Sequence, residues 1–393
     1  SVSNDAGGSL IENLEVTATN VTVSDVQQIT GDVTVGGDAL GSEGGLTLAL
    51  ADVVPSDPNN DPDRDQTITG TVKVGGGNTA GTLTLNDDAT VLSTGEVDVN
   101  NGTLGFGSNT LTLEDASFAG AASGVSYSGS GTLRMRDTDG DNTSETLAGG
   151  SSDLPNLAIT FANNNTSGSA SNSQDDVTLD GDVSVGGALT LANTVAGDGN
   201  GQTLTFKGSA TLNPANTNDA LTGTDATLRA SGSSASISVP DAQVPSNISS
   251  GDVGVTVSNL TVADGTGDDT PVTLTSAASS NGTPFNDLQV TNGFALESGT
   301  FDHGDANVNV NGGGDFTVGQ NGSSIDANAG AYFKLNNSNL TPNFSSGVTI
   351  DQLGMPSNFT LDGDGQAVTV DQEVLFAGGQ FDANTANDND ALV

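Results

Sequence analysis

Along most of the chain Val, Leu, Ile and Phe alternate with Thr, Ser, Asn and Asp, as in Val33-Thr34-Val35, Leu83-Thr84-Leu85 and Val308-Asn309-Val310. Successive side chains on a strand point to opposite faces, so a period of two predicts strands with one face buried and one wet. The runs are short and end at Gly, Asn or Asp, residues that suit turns through left-handed backbone or side-chain to backbone hydrogen bonds.

The runs also recur. Gly-x-Val-x-Val-Gly-Gly stands at 31–37, 70–76 and 181–187, and Leu-Thr-Leu follows each copy, at 46–48, 83–85 and 189–191. Asn or Asp before Leu-x-Val/Ile occurs within 12–16, 155–159, 258–262 and 286–290. A third element, two alternating apolar positions, then Gly, then Leu or Phe, occurs within 97–113, 294–310 and 374–382. Strands this short are not stable alone and gain stability by stacking on their equivalents in the next repeat. The pattern predicts an all-β chain, a parallel β-solenoid (β-helix) with Gly, Asn and Asp at its corners. With roughly 20 residues per coil there would be about 20 coils, rising about 4.8 Å each to a rod of about 90–100 Å. A string of immunoglobulin-like sandwiches is the competing architecture. It favours a buried aromatic and a period of about 100 residues, whereas this chain has no Trp and two Tyr. Repeat strength divides the chain into a first solenoid half at 1–213, a candidate insertion or irregular stretch at 214–256, and a second half at 257–393.

Charge narrows the partners. Against 49 acidic residues, mostly Asp, stand 7 basic ones, for a net charge of −42. Such a chain repels nucleic acid and anionic membranes. Low hydrophobicity with high charge also accompanies disorder, but the regular alternation argues for a folded chain. The acidity suits a very salty habitat, where screening relieves repulsion, or abundant divalent cations; the scarcity of Lys favours salt. No Cys is present, so stability rests on stacking rather than on disulfides. No segment reaches the roughly 18–20 apolar residues of a membrane helix. The opening SVSNDAGGS, without Met or an apolar leader, fits a mature terminus after signal removal and predicts a secreted, extracellular or cell-surface protein.

The phrases LPNLAIT (154–160), VTLDGDVSVGGALTL (177–191) and FNDLQVTNGFALESGTFD (285–302) resemble the β-helix repeats of bacterial surface proteins, the adhesin-like exoproteins of the Bacteroidota and their halophilic relatives. The resemblance implies a right-handed parallel β-helix on or outside the cell surface. It rests on repeat grammar and transfers no functional residue.

Candidate chemistry is sparse. The sole His, His303, lies near Asp302 and Asp305 with no Cys or Gly-x-Ser-x-Gly motif to partner it, and reads as an exposed turn residue. Paired carboxylates are guaranteed by so many acids. The cations that a polysaccharide lyase needs beside them are scattered, Arg134 and Arg136 being the one local pair. The expectation is no enzyme. Calcium is the ligand best suited to the loops: Asp137, Asp139, Asp141 and Glu145 offer hard oxygen ligands around Gly140, and Asp57, Asp61, Asp63 and Asp65 form a second acidic loop. Neither has EF-hand spacing, and no cofactor is required by the sequence.

These features predict an extracellular structural protein, a subunit of a self-assembling surface fibre for adhesion or matrix. It would bind itself head-to-tail through 1–12 and 383–393, with other cells or surface glycans as further partners. A monomeric stalk of a larger adhesin is the second expectation, and a polysaccharide-active β-helix enzyme the third.

Overall fold

The structure, a computed structural model, describes residues 10–17, 21–24, 28–36, 44–49, 67–76, 79–92, 96–121, 123–137, 145–150, 152–161, 177–192, 195–197, 199–212, 219–223, 226–232, 235–239, 255–263, 271–276, 288–319, 322–336, 341–355, 360–362, 366–376 and 380–382. Among them there is no helix, and the named strands pair in parallel. The chain forms two compact units, Ser1–Gly187 and Ala188–Val393.

In the first unit most coils contribute one short strand to each of three ladders, and the coil of Thr132–Asp137 and Thr146–Ala148 meets the third through the single bridge at Leu154, so the coils stack as a three-faced solenoid. One coil contains Ala89–Leu92, Glu96–Val99 and Gly102–Gly107, and the next contains Thr110–Glu114, Ser117–Gly120 and Val125–Gly129. The three pairs lie in register, Val91 on Leu113, Val97 on Phe118 and Leu104 on Tyr127. Residues two apart in one strand share a face, so stacking in register piles apolar side chains into continuous columns. One runs Ile29, Ile68, Val91, Leu113, Met135, Ile159, and each member is at most 2% exposed. Burying each such side chain is worth roughly 1.5–3 kcal/mol before the entropy of ordering the chain is subtracted.

The second unit repeats the plan with larger side chains. Its columns include Leu204, Leu228, Leu260, Phe294, Phe316 on one face and Val255, Leu288, Val308, Phe333, Leu353 on another. Phe294 meets Phe333 edge-on at a centroid distance of 5.0 Å, and Phe316 meets Phe344 in the same way at 5.1 Å. Edge-to-face packing of this kind adds to what burial alone provides.

The repeated phrases have distinct jobs. The first two Gly-x-Val-x-Val-Gly-Gly copies are adjacent coils, with Val33 on Val72 and Val35 on Val74. Their first closing glycines, Gly36 and Gly75, have φ of 73° and 74° and turn the chain out of the strand. In Asn-Leu-x-Val the Asn is a corner clamp. Asn13 Oδ1 accepts from Asp32 N at 2.9 Å, and Asp32 Oδ1 accepts in turn from Thr71 N at 2.9 Å. Asn156 Nδ2 donates to Ser130 O and Gly131 O, and Asn259 Nδ2 donates to Ala226 O. The 286–287 copy lies outside the described residues.

The described strands make seven coils in the first unit and eight in the second, fewer than the 20 expected. Hydrogen bonds between equivalent positions of adjacent coils span 19 residues at Asn13–Asp32, 22 at Asp88–Thr110 and 39 at Asp32–Thr71. Connectors of unequal length therefore dilute the repeat. Inside 214–256, Asp219–Thr222, Thr227–Ala230 and Ser236–Val239 pair with strands of the preceding coil, as in Leu228 on Leu204. Residues 1–9 and 383–393, most of the expected joint, lie outside the described residues.

Candidate functional site

Asp137 ends the strand Thr132–Asp137, and Glu145 directly precedes the strand Thr146–Ala148. Asp139 and Asp141 lie outside the described residues, as do Asp57, Asp61, Asp63 and Asp65. Glu145 is 7% exposed, an unusual position for a carboxylate, which is rarely buried without a compensating interaction. Among the described residues no three His, Cys, Asp or Glu side chains converge as a metal site.

His303 is a correction to the sequence reading: it is fully buried. The tight turn after Thr300–Asp302 folds inward, and the ring sits between Phe301 and Phe333 at centroid distances of 6.1 and 6.3 Å. Its Nδ1 lies 2.7 Å from Ala306 O, so Nδ1 carries the proton and donates. Carried one residue past the strand's end at Asp302, the alternation that puts Phe301 inside and Asp302 outside puts His303 inside as well, and the acidic turn around it obscured that signal.

Arg134 and Arg136 share one strand and one face. Arg136 pairs with Glu114 of the preceding coil at 3.2 Å, while Arg134 stands opposite Thr112 and Ala158. This is a cross-coil tie rather than a cluster of cations over a carboxylate pair.

A shallow concave surface lies in the second unit, above the column Leu228, Leu260, Phe294, Phe316. Two rows of residues face outward there. One runs Thr227, Asn259, Gly293 and on to Asp315; the other runs Arg229, Thr261, Ala295, Thr317. Gly293 and Ala295 are the smallest members of both rows and lie on the same strand, so the surface dips along it. The resulting open groove has a volume of about 380 Å³. Asn292 Nδ2 and Gly293 N both donate to Asn259 Oδ1, which fixes one wall. Beside the groove Arg229 and Glu297 form a bidentate pair of 2.7 and 2.6 Å that bridges two coil steps, past Thr261. The pairing raises the Arg229 pKa and lowers that of Glu297, in each case mainly through the shared hydrogen bonds. The two residues are 68 apart in sequence, and no local signal marks them as partners.

A second electrostatic feature is a ladder of carboxylates on another face of this unit. Asp302 is in register with Asp326, and Asp351 follows Ile350, the partner of Ile325. The Asp326 pKa is raised, first by partial burial and then by the Asp351 and Asp302 charges, against a hydrogen bond from Ser324.

Comparison of the chain with protein-family descriptions, with curated proteins and with solved structures finds no match.

Proposed function

We propose that the chain is an extracellular structural protein, a solenoid subunit of a bacterial surface fibre in the manner of adhesin-like exoproteins, and that it performs no catalysis. The observation that carries this reading is where the polar side chains are spent. Asn13, Asp32, Asp88, Asn109, Asn156 and Asn259 all bond to backbone of a neighbouring coil. Groups used in this way fasten coil to coil and leave little to act on a substrate. The same grammar supports assembly from one copy to the next. Coils joined by the same parallel pairing throughout can in principle be extended by an equivalent coil of a second copy, and a contact that does not close on itself builds a filament. The net charge of −42 would hold filament sides apart.

Negative-stain electron microscopy of the purified protein in low and high salt tests this. Filaments are the expected result. Isolated particles at both salt levels would remove the fibre and favour the stalk of a larger adhesin.

Calcium belongs to the same proposal as a structural ion, carried by the run of acidic residues from Asp137 to Glu145 in the sequence. Chelation should lower the melting temperature, and an unchanged value would remove calcium from the account.

A further inference from the structure

We propose that the groove floored by Gly293 and Ala295 is a binding site for neutral saccharide, the contact through which this structural protein engages a glycan-bearing surface. The proposal deepens the surface role above and rests on it for its biological setting, but the binding itself does not require assembly.

The argument begins with backbone spacing. Coils on either side of the floor strand lie two steps apart, roughly 10 Å at the usual strand separation. In a regular solenoid face the intervening side chains fill that gap. Here Gly293 and Ala295 leave it open, between Asn259 and Thr261 on one side and Asp315 and Thr317 on the other. A side chain at 293 is opposed structurally as well: a Cβ there would lie 3.1 Å from both Asn259 Oδ1 and Asp315 O. The volume of about 380 Å³ falls in the range of small-ligand sites, about 300–1,000 Å³.

The lining selects the ligand class. With the Asn259 amide committed to the wall, the Thr227 and Thr317 hydroxyls and the Asp315 carboxylate present donors and acceptors at short intervals, which suits a molecule carrying many hydroxyls. Phe294 turns inward with 1% exposure, so the floor offers no aromatic plane and hydrogen bonding dominates. Arg229, the nearby cation, is already held by both carboxylate oxygens of Glu297. With a net charge of −42 around it, the groove repels acidic sugars. A neutral oligosaccharide remains. An open hydrogen-bonding site competes with water at every contact, so single-site binding is weak and gains strength from multivalency.

Saturation-transfer difference NMR on the full chain, with neutral hexose oligosaccharides at millimolar concentration and an acidic oligosaccharide as control, tests the site. Transfer to a neutral ligand is expected, with none to the acidic one. Ala295→Ile fills the floor with a good strand former, and Asp315→Asn removes the carboxylate while keeping its shape. Each should reduce transfer at least fivefold with an unchanged melting temperature. Absence of transfer from every neutral ligand, preference for the acidic one, or full transfer in both variants would overturn the proposal. Because the signal is read from the protein whether or not it assembles, loss of the site and loss of the fibre are separate outcomes.

Discussion

Asp302 and Asp326 stand opposite one another on adjacent coils of the second unit, as Cα partners, and Asp351 continues the row on the next coil. Like charges at one strand spacing repel, and water relieves the repulsion only in part, because Asp326 is partly buried. Its raised pKa means that the folded state holds a proton more tightly than the unfolded chain does. The stability from that proton is fully present below the unfolded pKa and is lost as pH rises through the folded one. Asp326→Asn should therefore stabilise the protein to urea at neutral pH, by less than about 1 kcal/mol because the group is only partly buried and solvent screens the repulsion. The gain should shrink as the solution is acidified. A variant less stable than the parent at pH 7 would show that Asp326 is held by favourable contacts instead.

Arg229 and Glu297 make the opposite electrostatic statement. The Glu297 pKa is lowered by its hydrogen bonds with Arg229, so the pair contributes stability above the unfolded glutamate pKa and loses it as pH falls through the folded value. Both side chains are substantially exposed, 31% and 49%, which limits the coupling to about 0.3–1 kcal/mol despite bidentate geometry. A double-mutant cycle with Arg229→Gln and Glu297→Gln should show that coupling at low salt and little of it at 1 M salt, where the Debye length is about 3 Å. Coupling that survives high salt would mean the pair is effectively shielded from solvent.

These two features differ in how legible they are. The alternation in Val33-Thr34-Val35 and its relatives announces strands, and the recurrence of the heptapeptide announces stacking, because both are local and periodic. The recurrence of Asn13, Asn156 and Asn259 before Leu-x-Val was visible, although neither their clamp role nor their hydrogen-bond partners were. Which residues meet across coils depends on connector length, and that varies from coil to coil. Hence Glu297 could not be matched to Arg229, the ladder of Asp302 and Asp326 was lost among 49 acids, and the Gly293–Ala295 groove had no signature. His303 was misread for a different reason: its acidic neighbours Asp302 and Asp305 marked a turn and suggested exposure, although the alternation from Phe301 points it inward.

Asn156 tests whether corner clamps carry weight. Its Nδ2 donates to Ser130 O at 2.8 Å and to Gly131 O at 2.9 Å, both in the preceding coil. Asn156→Ala removes both donors. Gly131 is buried, so water reaches its carbonyl poorly, and the loss should be about 1–3 kcal/mol. Chemical denaturation of Asn156→Ala against Asn156→Asp is the informative comparison. Asp keeps the size but cannot donate when ionised, so it should be no better than Ala. A fully stable Asp variant would show that packing rather than donation holds the corner.

Gly75 is the position where the repeat should tolerate least. Its φ of 74° lies where side chains are strained, and an added Cβ would collide with the carbonyl oxygen of Asn101, a backbone atom of the next coil. Gly75 N also donates to Val35 O of the coil before at 2.8 Å, so the backbone is tied on both sides and has little room to move. Gly75→Ala should cost more than about 2 kcal/mol, the sum of backbone strain and a forced separation of coils. Gly199 is the matched control. Its φ is 90°, but nothing lies within 4 Å of an added Cβ, so Gly199→Ala should cost only about 1–2 kcal/mol of backbone strain. Urea unfolding of the two variants separates the contributions, since both share the strain and only Gly75 has the collision. Equal losses would mean that the coils can part at Asn101 without cost, and that close stacking at the Gly-Gly corner is not what selects glycine there.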